Sequence, residues 1–257
     1  MTLVIDIETG PLDTGYLLSL DPFDESKFPH PGEFDPASVK TGNIKDAAKI
    51  AEKIAAAREA HAAEVAGHGE RVKNARIDHA VELRSRAALS ALTGQVLAIG
   101  YHAPTSEGQP VKIDGAGMDE RTLIDRFWNK YTECRDKQRS IIGFNLAGFD
   151  VPFLVRRSWL LGLEPPEVVF DLNRRYLDRT FIDLMQVWGC GIYGDRVKLD
   201  TLAKALKVGG KPVDGNGQAV TGAMFAELWK SDRAAAEAYL ANDLRMTAAV
   251  ARKLGVI

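Results

Sequence analysis

The sequence predicts an α/β fold: a mixed sheet of about five strands flanked by helices, with a helical insertion after the first strand. Three observations carry that reading. The run Leu3-Val4-Ile5-Asp6-Ile7-Glu8-Thr9-Gly10 opens the chain as a short apolar strand. From residue 93 to residue 254, short apolar runs alternate with stretches of helical periodicity, the pattern of a mainly parallel or mixed sheet covered by helices. Between these parts, residues 43–91 turn rich in Ala, Lys and Glu, and that change of character marks an insertion.

Composition sets the outer bounds. A chain of 257 residues, 46% apolar and 26% charged, can bury a sizeable core as one large domain or two small ones. No internal repeat divides it, so we read a single domain over 1–257 with 43–91 inserted in it. The formal net charge of -2 does not announce a nucleic-acid partner, although it leaves room for a local basic groove. Cys134 and Cys190 fit no metal or redox spacing, and reduced intracellular thiols are expected. No apolar run is long enough for a bilayer, and the N-terminus lacks the regions of a signal peptide. No membrane partner and a cytoplasmic location follow as expectations.

Taken in order, the strand at 3–10 is followed by residues 11–42, rich in Pro, Asp and Gly, which read as an irregular excursion with one short strand at Tyr16–Leu20. Ile44–Val65 carries Ile50, Ile54, Ala57, His61 and Val65 at helical spacing, and Lys45, Lys49 and Lys53 recur every four residues. Gly67-His68-Gly69 is expected to break this helix, with a second from about Glu70 to Leu89. The block then serves as decoration or a dimerisation arm, or as a clamp over a substrate channel. Strands are expected at Gln95–Tyr101, Val111–Ile113, Ser140–Phe144, Val168–Phe170 and Phe181–Leu184. Helices are expected at Asp119–Cys134, Phe149–Leu161, Leu199–Leu206, Thr221–Trp229 and Ser231–Leu254.

Three stretches carry chemistry. On the first strand Asp6 and Glu8 project to one face, since side chains alternate. Two ionised carboxylates side by side repel, and a hard divalent cation would turn that cost into a binding site. In Ile141-Ile142-Gly143-Phe144-Asn145-Leu146-Ala147-Gly148-Phe149-Asp150, a strand and a small-residue turn lead into a helix, with Asp150 near its N-terminus. Asp150 either caps that helix or serves a ligand, and Asn145 either ties the turn or contacts one. In Tyr239-Leu240-Ala241-Asn242-Asp243 the phenol and the carboxylate are one helical turn apart on one face. The glycine-rich loop Gly209–Gly217 lacks the order of a phosphate-binding loop, and the five scattered histidines include no HExxH zinc motif.

In order, these stretches resemble the DnaQ-like, or DEDD, family of 3'-5' exonucleases, DEDDy subgroup, and stand close to the predicted phage and bacterial exonucleases related to the proofreading domain of family B DNA polymerases. The resemblance covers residues 2–10 and most of 93–254. Asp6 and Glu8 match the first motif, Asp150 the second with Asn145 and Phe149 flanking it, and Tyr239 with Asp243 the third. Asp183 and the run Leu199-Asp200-Thr201-Leu202-Ala203 resemble the stretches usual between the second and third motifs. The long block at 11–91 departs from the family's short hairpin and leaves substrate shape and partners open.

The resemblance implies a ribonuclease H-like sheet and two Mg²⁺ or Mn²⁺ ions, about 4 Å apart, held by Asp6, Glu8, Asp150 and Asp243. It implies stepwise hydrolysis of single-stranded DNA 3' ends to nucleoside 5'-monophosphates, in replication, repair or proofreading, with Tyr239 orienting the attacking water. A replication polymerase or a single-strand-binding protein is the protein partner it suggests, in a bacterial or phage-infected cell. Arg156 and Arg175, with Arg157, Arg174, Arg179, Tyr176 and Phe170, are candidates for a strand-guiding edge, and Leu12 and Met185 for wedges against terminal bases. Asn145 and Phe149 are further substrate-binding candidates. A 3'-5' exoribonuclease, a ribonuclease H or integrase type endonuclease, and a non-catalytic nucleic-acid-binding module remain as alternatives.

Overall fold

The computed structural model describes residues 2–104, 110–166, 169, 177–190, 196–211 and 222–257, with Ala223 by its backbone alone. The chain divides into two compact units, Met1–Leu12 with Arg86–Ile257, and Asp13–Ser85.

The first unit is built on five strands: β1 (Leu3–Pro11), β2 (Gly94–His102), β3 (Lys112–Asp114), β4 (Ile141–Gly143) and β5 (Phe181–Asp183), in the order β3-β2-β1-β4-β5. β1 runs antiparallel to β2 and parallel to β4, β2 pairs antiparallel with β3, and β4 pairs parallel with β5. This is the mixed, helix-flanked sheet that the sequence predicts. Alternation along β1 sorts its residues between two cores. Ile5 and Ile7 join Leu123, Phe127 and Tyr131 of α3 (Glu120–Asp136) and Val151 and Leu154 of α4 (Asp150–Leu160). Val4 joins the opposite core, with Leu184 of α5 (Leu184–Trp188), Leu202 of α6 (Leu199–Ala205), Phe225 of α7 (Gly222–Ser231) and Leu240 and Leu244 of α8 (Arg233–Lys253). Asp6 and Glu8 share the face of Val4, and the β1–β2 register shifts after them, between Glu8 and Thr9, where Leu97 is the extra residue on β2.

Buried charge on the α3/α4 side serves the fold. Arg157 Nε and Nη2 donate to Glu120 Oε1 and Oε2 at 2.8 and 2.6 Å, and its Nη1 donates to the carbonyl of Ala91 at 3.0 Å. Glu120 Oε1 also accepts from Val96 N at 2.8 Å. The place of Arg157 on a strand-guiding edge is thereby corrected: a forked pair with its geometry fully used holds α3, α4 and β2 together.

The second unit differs from expectation twice. The strand expected at Tyr16–Leu20 is a helix, α1 (Thr14–Leu20), because the carboxylate of Asp13 accepts from Gly15 N and Tyr16 N at 2.8 and 3.3 Å and starts a helical turn. The break expected at Gly67-His68-Gly69 does not occur: α2 runs unbroken over Ala47–Ala87. A helical glycine costs about 1 kcal/mol against alanine, too little to stop a helix flanked on both sides by Ala, Glu and Lys. Contacts with residues 21–34 of the same unit also span the site. His68 Nε2 lies 3.0 Å from the carbonyl of Phe28, and its ring meets that of His30 at 4.9 Å. His79 reaches the carbonyl of Asp21, His61 packs on Phe34, and Arg76 lies over Phe23. Lys45, Lys49 and Lys53 are exposed. Among the described residues no helix is long and apolar enough to cross a membrane.

Candidate active site

Asp6 and Glu8 leave β1 towards α8, and Asp243 of α8 meets them. One carboxylate oxygen from each of the three lies within 4.8 Å of the others. The close approach depends on small residues next door. Across the β1–β2 ladder Asp6 faces Gly100 and Glu8 faces Ala98. A Cβ on Gly100 would stand 2.5 Å from Leu244 Cδ1 and 3.1 Å from Leu240 Cγ, so a larger residue there forces those two side chains of α8 to shift. Tyr239, one turn before Asp243, is buried beside Phe225 at 6.1 Å between ring centroids. Gly222 opens α7 at the pocket's rim, where a Cβ would lie 3.9 Å from both Glu8 Oε2 and the Tyr239 hydroxyl.

Asp150 arrives from the other side of β1. The β1–β4 ladder pairs residues only at Leu3 and Val4. Further along, Asp150 Oδ1 accepts from Ile7 N, between the two strand carboxylates, at 3.2 Å. Asp150 therefore stands beside the trio and outside the group that shares the 4.8 Å spacing. It is the first residue of α4 and makes no cap for it. Asn145 is the turn residue: its φ is +62°, a left-handed conformation that Asn tolerates, and its carbonyl accepts from Gly148 N and Phe149 N at 3.0 and 2.9 Å. Phe149 packs on Phe153 at 5.4 Å and against the core. Arg156 is exposed on α4, six residues and about 9 Å of helix beyond Asp150. Arg179 is exposed before β5, while Arg174, Arg175, Tyr176 and Phe170 lie outside the described residues. Leu12 and Met185 are half-buried.

Lys211 is the residue that sequence reasoning missed. Its ammonium donates to Asp243 Oδ2 at 2.8 Å and to the Tyr239 hydroxyl, and sits 4.4 Å from the centre of that ring. Its own backbone N–H is fixed by Asp200 Oδ1 at 2.7 Å. A lysine behind two glycines, 32 residues before its partner aspartate, carries no local pattern that would have marked it.

Among the described residues the pocket is short of positive charge. Asp6 and Glu8 are held well above the ordinary carboxylate range, first by burial and then by neighbouring carboxylates. Burial pushes Asp150 up to about 7. Asp243 is raised by burial, with Lys211 and Tyr239 pulling it back. The Tyr239 phenol is raised by burial and by Asp243, so it stays protonated at neutral pH. Asp243 Oδ1 is buried and has no hydrogen-bond partner among the described residues. An orphaned oxygen beside two further carboxylates fits a cation, and an all-oxygen donor set suits Mg²⁺ or Mn²⁺ better than zinc.

Comparisons with known proteins bear on the family and the fold. A family model described as "Predicted 3'-5' exonuclease related to the exonuclease domain of PolB" matches residues 95–247. That interval contains Asp150, Lys211, Tyr239 and Asp243, while Asp6 and Glu8 precede it. No curated protein matches the sequence. Among solved structures, the family B DNA polymerase from the hyperthermophilic archaeon Pyrobaculum calidifontis matches with a TM-score of 0.50 and 23% identity, over 66% of this chain and 23% of that one. This chain thus spans under a quarter of the polymerase's length, and the likeness is one of fold, in keeping with the ribonuclease H-like arrangement expected.

Proposed function

This chain belongs to the predicted 3'-5' exonucleases related to the exonuclease domain of PolB, and from that premise we propose that it is a DnaQ-like exonuclease of the DEDDy subgroup that trims single-stranded DNA from its 3' end. The observation that carries the reading is the meeting of Asp6, Glu8 and Asp243 in one buried pocket with an oxygen left unpartnered. Asp6, Glu8 and Asp243 would hold one divalent ion, and Asp6 with Asp150 a second, Mg²⁺ or Mn²⁺ in each case.

When bound, such ions supply a lowered pKa for water and positive charge for a departing oxygen. The chain's own residues do the rest. The Tyr239 hydroxyl, kept protonated and steadied by Lys211, orients the attacking water. Lys211 adds a fixed positive charge for the phosphoryl oxygens. The water oxygen bonds to phosphorus and the bond from phosphorus to the 3' oxygen breaks. The shortened strand's new 3' hydroxyl takes the proton, and a nucleoside 5'-monophosphate departs.

A role in replication, repair or proofreading suits this chemistry, with a DNA 3' end as substrate and a replication polymerase or single-strand-binding protein as partner, in the cytoplasm of a bacterial or phage-infected cell. The test is digestion of 3'-labelled single-stranded DNA by the whole chain with and without Mn²⁺, beside an RNA of the same sequence and a circular DNA. Divalent-dependent release of mononucleotides from linear DNA is expected. Faster loss of the RNA would make it an exoribonuclease, and cutting of the circle an endonuclease. No reaction on any of the three would reduce it to a binding module.

A further inference from the structure

Asp183 ends β5 and is almost fully buried, yet it lies outside the group of carboxylates that meet in the pocket. Its two oxygens are fully committed to backbone. Oδ1 accepts from Asn145 N and from Met185 N, each at 2.9 Å, and Oδ2 accepts from Ala147 N at 2.9 Å. Two of these donors belong to the turn that precedes Asp150, 36 and 38 residues away in sequence. The turn is otherwise held by the Asn145 carbonyl, which accepts from Gly148 N and Phe149 N, and by Leu146, fully buried in the core; Asp183 is the side chain that ties its N–H groups to β5. Asn145 is held at a φ of +62°, and its side-chain oxygen lies where any Cβ on Gly148 would stand, only 2.3 Å away. From that turn the chain passes directly through Phe149 to Asp150, whose Oδ1 must reach Ile7 N between Asp6 and Glu8.

We propose that Asp183 is a positioning residue for the reaction: it clamps the 145–147 turn from below and so sets where the Asp150 carboxylate stands beside β1. This rests on the exonuclease reading above. The third bond, to Met185 N, caps α5 and pins the clamp itself to β5. A carboxylate accepting three N–H bonds is a stiff tie that an amide cannot reproduce. Asparagine at 183 would turn an amide N–H towards one of the backbone donors and lose that bond.

The experiment compares the whole wild-type chain with Asp183→Asn, Asp183→Ala and a control, Asp119→Ala. Asp119 caps α3 in the same manner, accepting from Thr122 N at 2.9 Å, on an exposed part of the fold. Both Asp183 variants are expected to lose about 100-fold in kcat on 3'-labelled single-stranded DNA, the cost of misplacing a reacting group by about 1 Å. KM for the strand should move by less than about threefold. Mn²⁺ affinity, read by electron paramagnetic resonance on the protein without DNA, should fall about tenfold. Asp119→Ala should lower the unfolding temperature alone.

An Asp183 variant that unfolds cooperatively and keeps wild-type kcat and Mn²⁺ affinity overturns the proposal. If neither variant folds, hydrogen exchange of the wild type decides: slow exchange at the amides of Asn145 and Ala147 supports the clamp, and rapid exchange there removes it. A wild-type chain that shows no divalent-dependent release of nucleotides overturns the exonuclease reading itself, and is recognised before any variant is made.

Discussion

Arg157 and Glu120 on one side of the sheet, and Asp6, Glu8, Asp150 and Asp243 around β1, are two buried sets of charge built on opposite rules. The first is paid in full, with three nitrogen atoms of Arg157 donating to two carboxylate oxygens and a carbonyl. The second sets four carboxylates against Lys211, leaves Asp243 Oδ1 without a partner among the described residues, and raises each acid above its ordinary range. Burying unmatched charge costs stability. A fold that matches charge in one place and leaves it short in another marks the second place as one where something else is meant to bind.

Four changes break or sharpen that contrast. The largest effect is expected from Asp6→Ala, which removes a carboxylate from the deficient set. Turnover of labelled single-stranded DNA should fall by about 10³-fold or more, while the unfolding temperature without metal holds or rises because like charges are relieved. A variant that digests at the wild-type rate ends the assignment of the pocket.

Next comes Arg157→Ala, which orphans Glu120 in the matched set. Chemical unfolding should show a loss of about 3–5 kcal/mol, with activity per folded molecule little changed. A loss in turnover without a loss in stability would mean that Arg157 belongs to the chemistry after all.

Lys211→Met removes the ammonium that faces the deficient set. Turnover should drop by about 100-fold if Lys211 steadies Tyr239 and the phosphoryl charge. Unchanged turnover would leave it a counter-ion and nothing more.

The smallest effect is on stability against pH without metal. A raised carboxylate pKa means that the folded protein binds more protons than the unfolded chain. The stabilisation from protonated Asp150 is complete below its ordinary value of 3.8 and is lost as pH rises through about 7. The unfolding temperature should therefore decline across that window, and Mn²⁺ should restore it at the upper end. Asp6→Asn, which removes another raised carboxyl, should flatten the decline.

Much of the site was legible before any fold was known. The period of two in β1 placed Asp6 and Glu8 on one face, and the four-residue spacing of Tyr239 and Asp243 placed them on one turn of α8. Those are local periodicities, and they survive into the structure. Tyr16–Leu20 and Gly67–Gly69 misled because a cap at Asp13 and the tolerance of a long Ala-rich helix outweighed the residues' own propensities. Arg157 misled because adjacent arginines on one helix point to different sides, and Arg156 faces solvent while Arg157 is buried.

The sequence by itself determined the alternation of strands and helices, the acidic residues and the faces on which each must lie, since these depend on neighbours a few positions away. Tertiary structure alone decided that Ile7 would bind Asp150 across 143 residues, that Lys211 would reach Asp243 across 32, and that Gly100 would leave room for Leu240 and Leu244 of α8. Such contacts are set by how whole elements pack, and packing is a property of shape and volume that no local pattern of residues encodes.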